Sequence, residues 1–97
     1  MNDLSQKLYD LSGGYEVIYS MSGSDAIEGA IKLAKMCEPN RKTILGFRNS
    51  YHGSTYMSAS VSGSTYLTDT FGKHEDCKIL SDLDDIDSTN LSYSLYK

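Results

Sequence analysis

Apolar residues recur at helical spacing in two stretches of the chain, and each stretch predicts an amphipathic helix. In the first, over residues 3–11, Leu4, Leu8 and Leu11 share one face. The second covers residues 24–37, and its apolar stripe is predicted to pack closely on a sheet as part of the core. That stripe consists of Ala26, Ile27, Ala30, Ile31, Leu33 and Ala34.

Three short runs of β-branched and apolar residues predict strands, at 15–19, 43–47 and 77–80. The order of strand, helix and strand over residues 15–47 is typical of a βαβ unit, in which the two strands run parallel. The fold class predicted from this order is α/β, within one small domain or a part of a larger one.

The remaining signals are weaker. Residues 54–61 are compatible with a short helix or a coil, and the acidic run at 82–87 is predicted to open a helix. From Ser88 to Lys97 there is no large apolar stripe, so this end is expected to be a loosely held tail.

A small polar turn, Ser22-Gly23-Ser24, precedes the second helix. The first N–H groups of a helix lack intrahelical partners, and the helix dipole places partial positive charge there. Gly23 lets a ligand approach the backbone, and the serine hydroxyls can donate hydrogen bonds. The turn therefore predicts an anion site, with phosphate as the leading ligand. The alternative is an ordinary helix cap in which the serines only satisfy the first N–H groups.

A second polar loop, at 48–53, follows the strand predicted at 43–47. In an open α/β sheet, ligands bind beyond the carboxyl ends of parallel strands. Because each of the two polar loops follows a predicted strand, we expect both loops to face the same side of the sheet.

Charge and cysteine usage narrow the class of protein. The formal net charge of -4 argues against a general nucleic-acid surface. Cys37 and Cys77 are far apart and are expected to be reduced thiols of a cytoplasmic protein. No signal-peptide pattern or membrane-length apolar run occurs, so no membrane is expected. His52 and His74 lack a third ligand at suitable spacing, so no metal site is predicted.

Two segments, Ser22–Lys35 and Ile44–Thr55, together resemble the class III aminotransferases, which are pyridoxal-phosphate (PLP) enzymes of fold type I. The pattern of that family is a Ser-Gly-(Ser/Thr)-Glu-Ala turn opening a long helix, followed by a strand ending in (Tyr/Phe)-His-Gly. The resemblance covers roughly residues 8–75. It implies that residues 1–97 are part of a large, cofactor-binding domain of fold type I.

The resemblance also implies roles for the two loops. Gly23 and Ser24 would bind the cofactor phosphate, with Ser22 beside them, and Tyr51 would stack on the pyridine ring. His52, together with the glycine after it, would shape the loop that carries Tyr51. A loop tyrosine and a structural loop histidine remain the alternatives for Tyr51 and His52.

The match departs from the family pattern at several positions. Asp25 stands in place of the usual Glu, Met21 where Asn or Ser is common, and Ser54 where Arg is frequent. Gly29 replaces a common Ala and is expected to weaken the helix by about 1 kcal/mol. Asp25 and Glu28 are interpreted as helix-start charges rather than catalytic carboxylates.

As the resemblance implies, the parent enzyme would transfer an amino group from an amine or amino acid donor to a keto acid or aldehyde acceptor, and would be a homodimer. The Schiff-base lysine, the pyridinium-pairing Asp and the small domain of the family have no counterpart here. We therefore expect a fragment that is inactive by itself. The alternative is a non-catalytic remnant or a small phosphate-binding α/β module.

Overall fold

The computed structural model describes residues 2–81 and 95–96 of the chain. The helices are α1 (Asp3–Leu11), α2 (Gly23–Cys37), α3 (Tyr56–Val61) and α4 (Thr68–Phe71), and the strands are β1 (Ile44–Phe47), β2 (Cys77–Leu80) and β3 (Leu95–Tyr96). Both predicted amphipathic helices and the predicted strands at 43–47 and 77–80 are confirmed. The acidic run at 82–87 lies outside the described residues, as does most of the predicted tail.

The strands form one sheet in the order β1-β2-β3. β1 and β2 are parallel and in register from Ile44 opposite Cys77 to Phe47 opposite Leu80. β3 pairs antiparallel with β2. The connection between the two parallel strands contains α3 and α4. The α/β class is therefore confirmed as a small, partly parallel sheet with helices.

The predicted strand at 15–19 is wrong, because residues 15–20 follow an irregular path without strand pairing. Tyr15 and Ile18 are 74% and 80% exposed. A strand is stabilised by hydrogen bonds to a neighbouring strand, whatever the β propensity of its residues. No strand of the described residues lies beside 15–19, so the βαβ unit predicted over residues 15–47 does not form. The parallel pair is β1 and β2 instead.

The core lies where α2 and α3 meet the sheet. Ile31 of α2, Val61 of α3 and Cys77 of β2 form a buried cluster, against which three half-buried side chains pack: Ile27, Ile44 and Met57. The prediction that the whole apolar stripe of α2 is core is therefore only partly right. The remaining members of that stripe are exposed in the described structure: Ala26, Ala30, Leu33 and Ala34. Helical periodicity identifies an apolar face, but the neighbouring elements decide which part of it is covered.

An ion pair joins the last turn of α2 to the residue before β2. Lys35 Nζ lies 2.6 Å from Asp76 Oδ2, and the Asp76 N–H donates to His74 Nδ1 at 3.0 Å. The hydrogen bond from Lys35 lowers the pKa of the Asp76 carboxyl, with a smaller opposing effect of burial. The pair ties α2 to the start of the central strand.

Replacing Lys35 with methionine is expected to destabilise the fold at pH 7, and the loss should shrink below about pH 4. A carboxyl whose pKa is depressed by folding contributes stability above its unfolded pKa, and this contribution disappears as the pH falls through the folded value. Urea unfolding of wild type and Lys35→Met at pH 7 and pH 3 measures the difference. Lys7→Met, on the exposed surface of α1, is the control. An equal loss at both pH values would show that the ion pair is not the cause.

Candidate functional site

Both polar loops line one open cleft of about 570 Å³. The cleft residues are Ser22, Gly23, Ser24, Ala26, Ile27, Tyr51, His52 and Gly53. The prediction that the two loops lie on one side of the molecule is confirmed, although residues before the first loop are not in a strand. The loops meet because the start of α2 packs beside the segment that leads from β1 into α3.

Ser22 caps α2 with both its side chain and its backbone. Its Oγ accepts the Asp25 N–H at 3.1 Å, and its carbonyl oxygen accepts the Ala26 N–H at 3.0 Å. Asp25 Oδ2 in turn accepts the Met21 N–H at 3.2 Å. In a standard capping box the Asp25 carboxylate would accept the N–H of the cap residue, Ser22. Here it accepts the N–H of the preceding residue, Met21. The cap fixes where the helix begins.

The cap leaves two helix-start donors unused. The N–H groups of Gly23 and Ser24 have no helical carbonyl four residues before them, and neither donates a hydrogen bond to another described residue. A Cβ at Gly23 would meet no atom within 4 Å, so the space over this turn is open. The positive end of the 15-residue α2 lies here. An anion can therefore reach these donors.

The Ser24 hydroxyl is oriented by a hydrogen bond that leaves its hydrogen free to donate to a ligand. Its Oγ accepts the Ser54 N–H at 2.9 Å, which occupies a lone pair and leaves the hydroxyl hydrogen to donate. Ser24 thus offers a ligand one hydroxyl donor beside the backbone donors. The same bond links α2 to the loop after β1.

Gly53 makes the close approach of the two loops possible. It is buried and has a φ of 144°. A Cβ on Gly53 would lie 2.6 Å from both Ser24 Oγ and Ser58 Oγ, and 2.8 Å from Ser24 Cα. Only glycine avoids both the crowding and the strained backbone. Gly53 is therefore the contact point between the start of α2 and the loop.

Tyr51 and His52 both line the cleft but differ in their exposure to solvent. Tyr51 is 69% exposed, and it also lines a neighbouring cavity of about 270 Å³. His52 is half-buried, and its backbone N–H donates to Ser62 Oγ at 2.8 Å. That backbone bond fits a loop-shaping role for His52, whereas the exposed ring of Tyr51 is accessible to a ligand. No Lys or Arg of the described part lines the cleft, so backbone donors, a hydroxyl and the helix dipole are its means of attracting an anion.

Sequence reasoning missed the role of Glu28. Its Oε1 accepts hydrogen bonds from Thr55 Oγ1 at 2.7 Å, from the Met57 N–H at 2.7 Å and from the Ser58 N–H at 3.0 Å. Burial raises the pKa of Glu28, but these bonds together with Lys32 outweigh it, so that the pKa is lowered. Only the position of Glu28, four residues after Ser24, could have suggested from the sequence that both face the same neighbour.

Comparison with known proteins identifies the family. The family model described as Aminotransferase class-III matches residues 1–89. The chain therefore belongs to the class III aminotransferase family, as its two motifs suggest.

The segments that match individual relatives make up most of this chain but only a small part of each relative. The acetylornithine aminotransferase of Vibrio vulnificus is 32% identical over 74 residues, which are 71% of this chain and 18% of the relative. The acetylornithine/succinyldiaminopimelate aminotransferase of Buchnera aphidicola subsp. Acyrthosiphon pisum is 31% identical over 90 residues, 88% of this chain and 22% of the relative. The leucine/methionine racemase of Thermococcus litoralis is 42% identical over 62 residues, 62% of this chain and 14% of the relative. No solved structure matches significantly.

Residues 2–81 and 95–96 contain neither a candidate metal-binding cluster nor a candidate membrane-spanning helix. Among the described residues, no group of three or more His, Cys, Asp or Glu side chains could hold a metal ion. No helix in this part of the chain is long and apolar enough to cross a membrane.

Proposed function

We propose that this chain is part of the PLP-binding, fold type I domain of an aminotransferase, in which the start of α2 anchors the cofactor phosphate. The observation that carries the proposal is the shared cleft: the unused donors of Gly23 and Ser24 and the exposed ring of Tyr51 line it together. Membership of the class III aminotransferase family supports the choice of cofactor.

The residues present fit a phosphate ester. The N–H groups of Gly23 and Ser24 and the Ser24 hydroxyl donate to the phosphate oxygens, and these bonds are strengthened by the negative charge of the ligand. The open space over Gly23 admits the phosphate to the backbone. The dipole of α2 favours a negative charge at this end. Ser22 supports the site as the helix cap rather than as a donor to the ligand.

Tyr51 provides a flat aromatic surface on which the cofactor ring stacks, and His52 holds the Tyr51 loop through its backbone bond to Ser62. When bound, PLP supplies the electron sink needed to move an amino group. No lysine of the described residues lines the cleft. We infer that this chain anchors the cofactor and that other parts of a homodimeric protein supply the groups that react with the substrate, since the matched segments span only 18% and 22% of two aminotransferase relatives.

In the proposed reaction, an amine or amino acid donates its amino group to a keto acid or aldehyde acceptor. The similarity to the Thermococcus litoralis racemase favours a second candidate, in which the amino group stays on its carbon and only the configuration inverts. Incubating the complete, PLP-loaded protein with an L-amino acid, with and without a keto acid, separates the two. Amino transfer needs the acceptor and yields a new amino acid, whereas racemisation yields the D-enantiomer without it.

The phosphate assignment is tested by replacing Ser24 with alanine in the complete protein. Hydrogen bonds to charged groups contribute about 1.5–3 kcal/mol, so PLP affinity is expected to fall roughly tenfold to a hundredfold. Titration of the apo-protein with PLP, followed by absorbance, measures the affinity. The matched control is Ser54→Ala, which retains the backbone N–H that bonds Ser24. Unchanged affinity in Ser24→Ala would contradict the assignment, and the absence of any PLP binding in wild type would favour a non-catalytic remnant.

A further inference from the structure

Glu28 lies one helical turn after Ser24 on α2, so the two side chains share one face of the helix. Ser24 Oγ accepts the N–H of Ser54, and Glu28 accepts its three hydrogen bonds from residues 55–58. Two successive turns of α2 therefore hold the segment of residues 54–58 through three backbone N–H groups and one side-chain hydroxyl.

The Glu28 carboxylate accepts hydrogen bonds from two backbone N–H groups in the first turn of α3, those of Met57 and Ser58. The first N–H groups of a helix have no intrahelical acceptor, and a negative charge is favoured beside them. Ser58 is fully buried, so its N–H has no access to water and depends on the Glu28 carboxylate. All three donors bind the same oxygen, Oε1, which makes this oxygen the anchor of α3 on α2.

The opposite end of α3 holds the Tyr51 loop. Ser62 Oγ accepts the His52 N–H at 2.8 Å, and the Gly63 N–H donates to the Ser50 carbonyl oxygen at 2.9 Å. Ser50 and His52, on either side of Tyr51, are thus bonded to the two residues that follow α3. Any movement of α3 relative to α2 would move the Tyr51 ring relative to the helix start.

We propose that Glu28 is a positioning residue for the cofactor cleft, and this inference rests on the proposed PLP function. By anchoring α3 on α2, Glu28 sets the separation between the donors of Gly23 and Ser24 and the Tyr51 ring. Glu28 is not among the residues that line the cleft. It acts through Thr55 and α3. In this way the distance between the start of α2, which binds the phosphate, and the Tyr51 loop, which binds the ring, is set to fit one cofactor.

The test compares variants of the complete protein by two measurements: PLP affinity, and the circular dichroism of bound PLP at saturation. Glu28→Ala removes the anchor and is expected to weaken PLP binding about tenfold and to reduce the dichroism of the bound ring. Glu28→Gln keeps an amide oxygen as acceptor and should restore both to near wild-type values. Thr55→Val removes one of the three bonds to Glu28, together with the bond between Thr55 Oγ1 and Ser58 Oγ, and has an expected loss of about threefold. Glu38→Ala, exposed at the end of α2, is the control.

The outcomes separate this inference from the proposed function. If wild type binds PLP and Ser24→Ala weakens binding, but Glu28→Ala retains full affinity and dichroism, the positioning role is wrong while the phosphate site stands. If wild type binds no PLP, the proposed function fails first. Should Glu28→Ala not fold, Glu28→Gln and Thr55→Val decide: rescue by the amide with a measurable loss in Thr55→Val supports the inference, and wild-type behaviour of both overturns it.

Discussion

Gly53→Ala is expected to weaken PLP binding at least about tenfold and to lower the free energy of unfolding by about 3 kcal/mol. The added methyl group would lie 2.6 Å from both Ser24 Oγ and Ser58 Oγ. The backbone φ of 144° at Gly53 is also one that side-chain-bearing residues rarely adopt. The loop must therefore move away from the start of α2. PLP titration and urea unfolding of the complete protein measure the two effects.

A matched control separates backbone strain from crowding at this contact. Gly72 also has a positive φ, of 86°, but a Cβ there would meet no atom within 4 Å. Gly72→Ala is therefore expected to cost about 1 kcal/mol of stability from strain while leaving PLP affinity unchanged. If Gly53→Ala behaves like Gly72→Ala in both measurements, close packing of the loop on Ser24 does not matter for the cleft.

The second large effect is expected at Gly46, in the middle of β1. A methyl group there would overlap the backbone carbonyl oxygen of Val61, at the end of α3. Because a backbone carbonyl cannot rotate aside as a side chain can, α3 must shift from the sheet and disturb the buried cluster that includes Val61. Gly46→Ala should therefore lower the free energy of unfolding by about 3 kcal/mol. Denaturant unfolding of the complete protein measures the loss.

Gly29 provides the control for Gly46, with the opposite sign. It lies inside α2 and a Cβ there would meet nothing within 4 Å. Gly29→Ala should raise the free energy of unfolding by about 0.5–1 kcal/mol, because glycine is a poor helix former. Equal effects of the two substitutions, in either direction, would contradict the close approach of α3 to β1.

Local sequence patterns predicted the elements that depend on local properties. The spacing of Leu4, Leu8 and Leu11 predicts α1, and the polar turn followed by an apolar period of helical type predicts α2. Ser22 caps α2 as its residue type suggests, because a cap bond joins residues only three apart. β1 and β2 were also predictable, since each is a short apolar run between polar segments.

The predictions that were wrong, in whole or in part, depend on contacts between distant parts of the chain. Tyr15 and Ile18 have strong β propensity, yet residues 15–20 form no strand, since no described strand lies beside them to complete the hydrogen bonds. The sequence predicts that the whole apolar stripe of α2 is core, but of that stripe the neighbours of α2 cover only Ile27 and Ile31. Neither outcome is encoded in the residues concerned.

The sequence by itself determined the helix start that presents Gly23 and Ser24, and the family to which the chain belongs, because both reside in short contiguous motifs. Only the tertiary structure decided that Glu28 anchors α3 and that Gly53 packs on Ser24. Those contacts join residues about 30 positions apart. Their existence depends on how the helices pack on the sheet, which no local pattern of residues specifies.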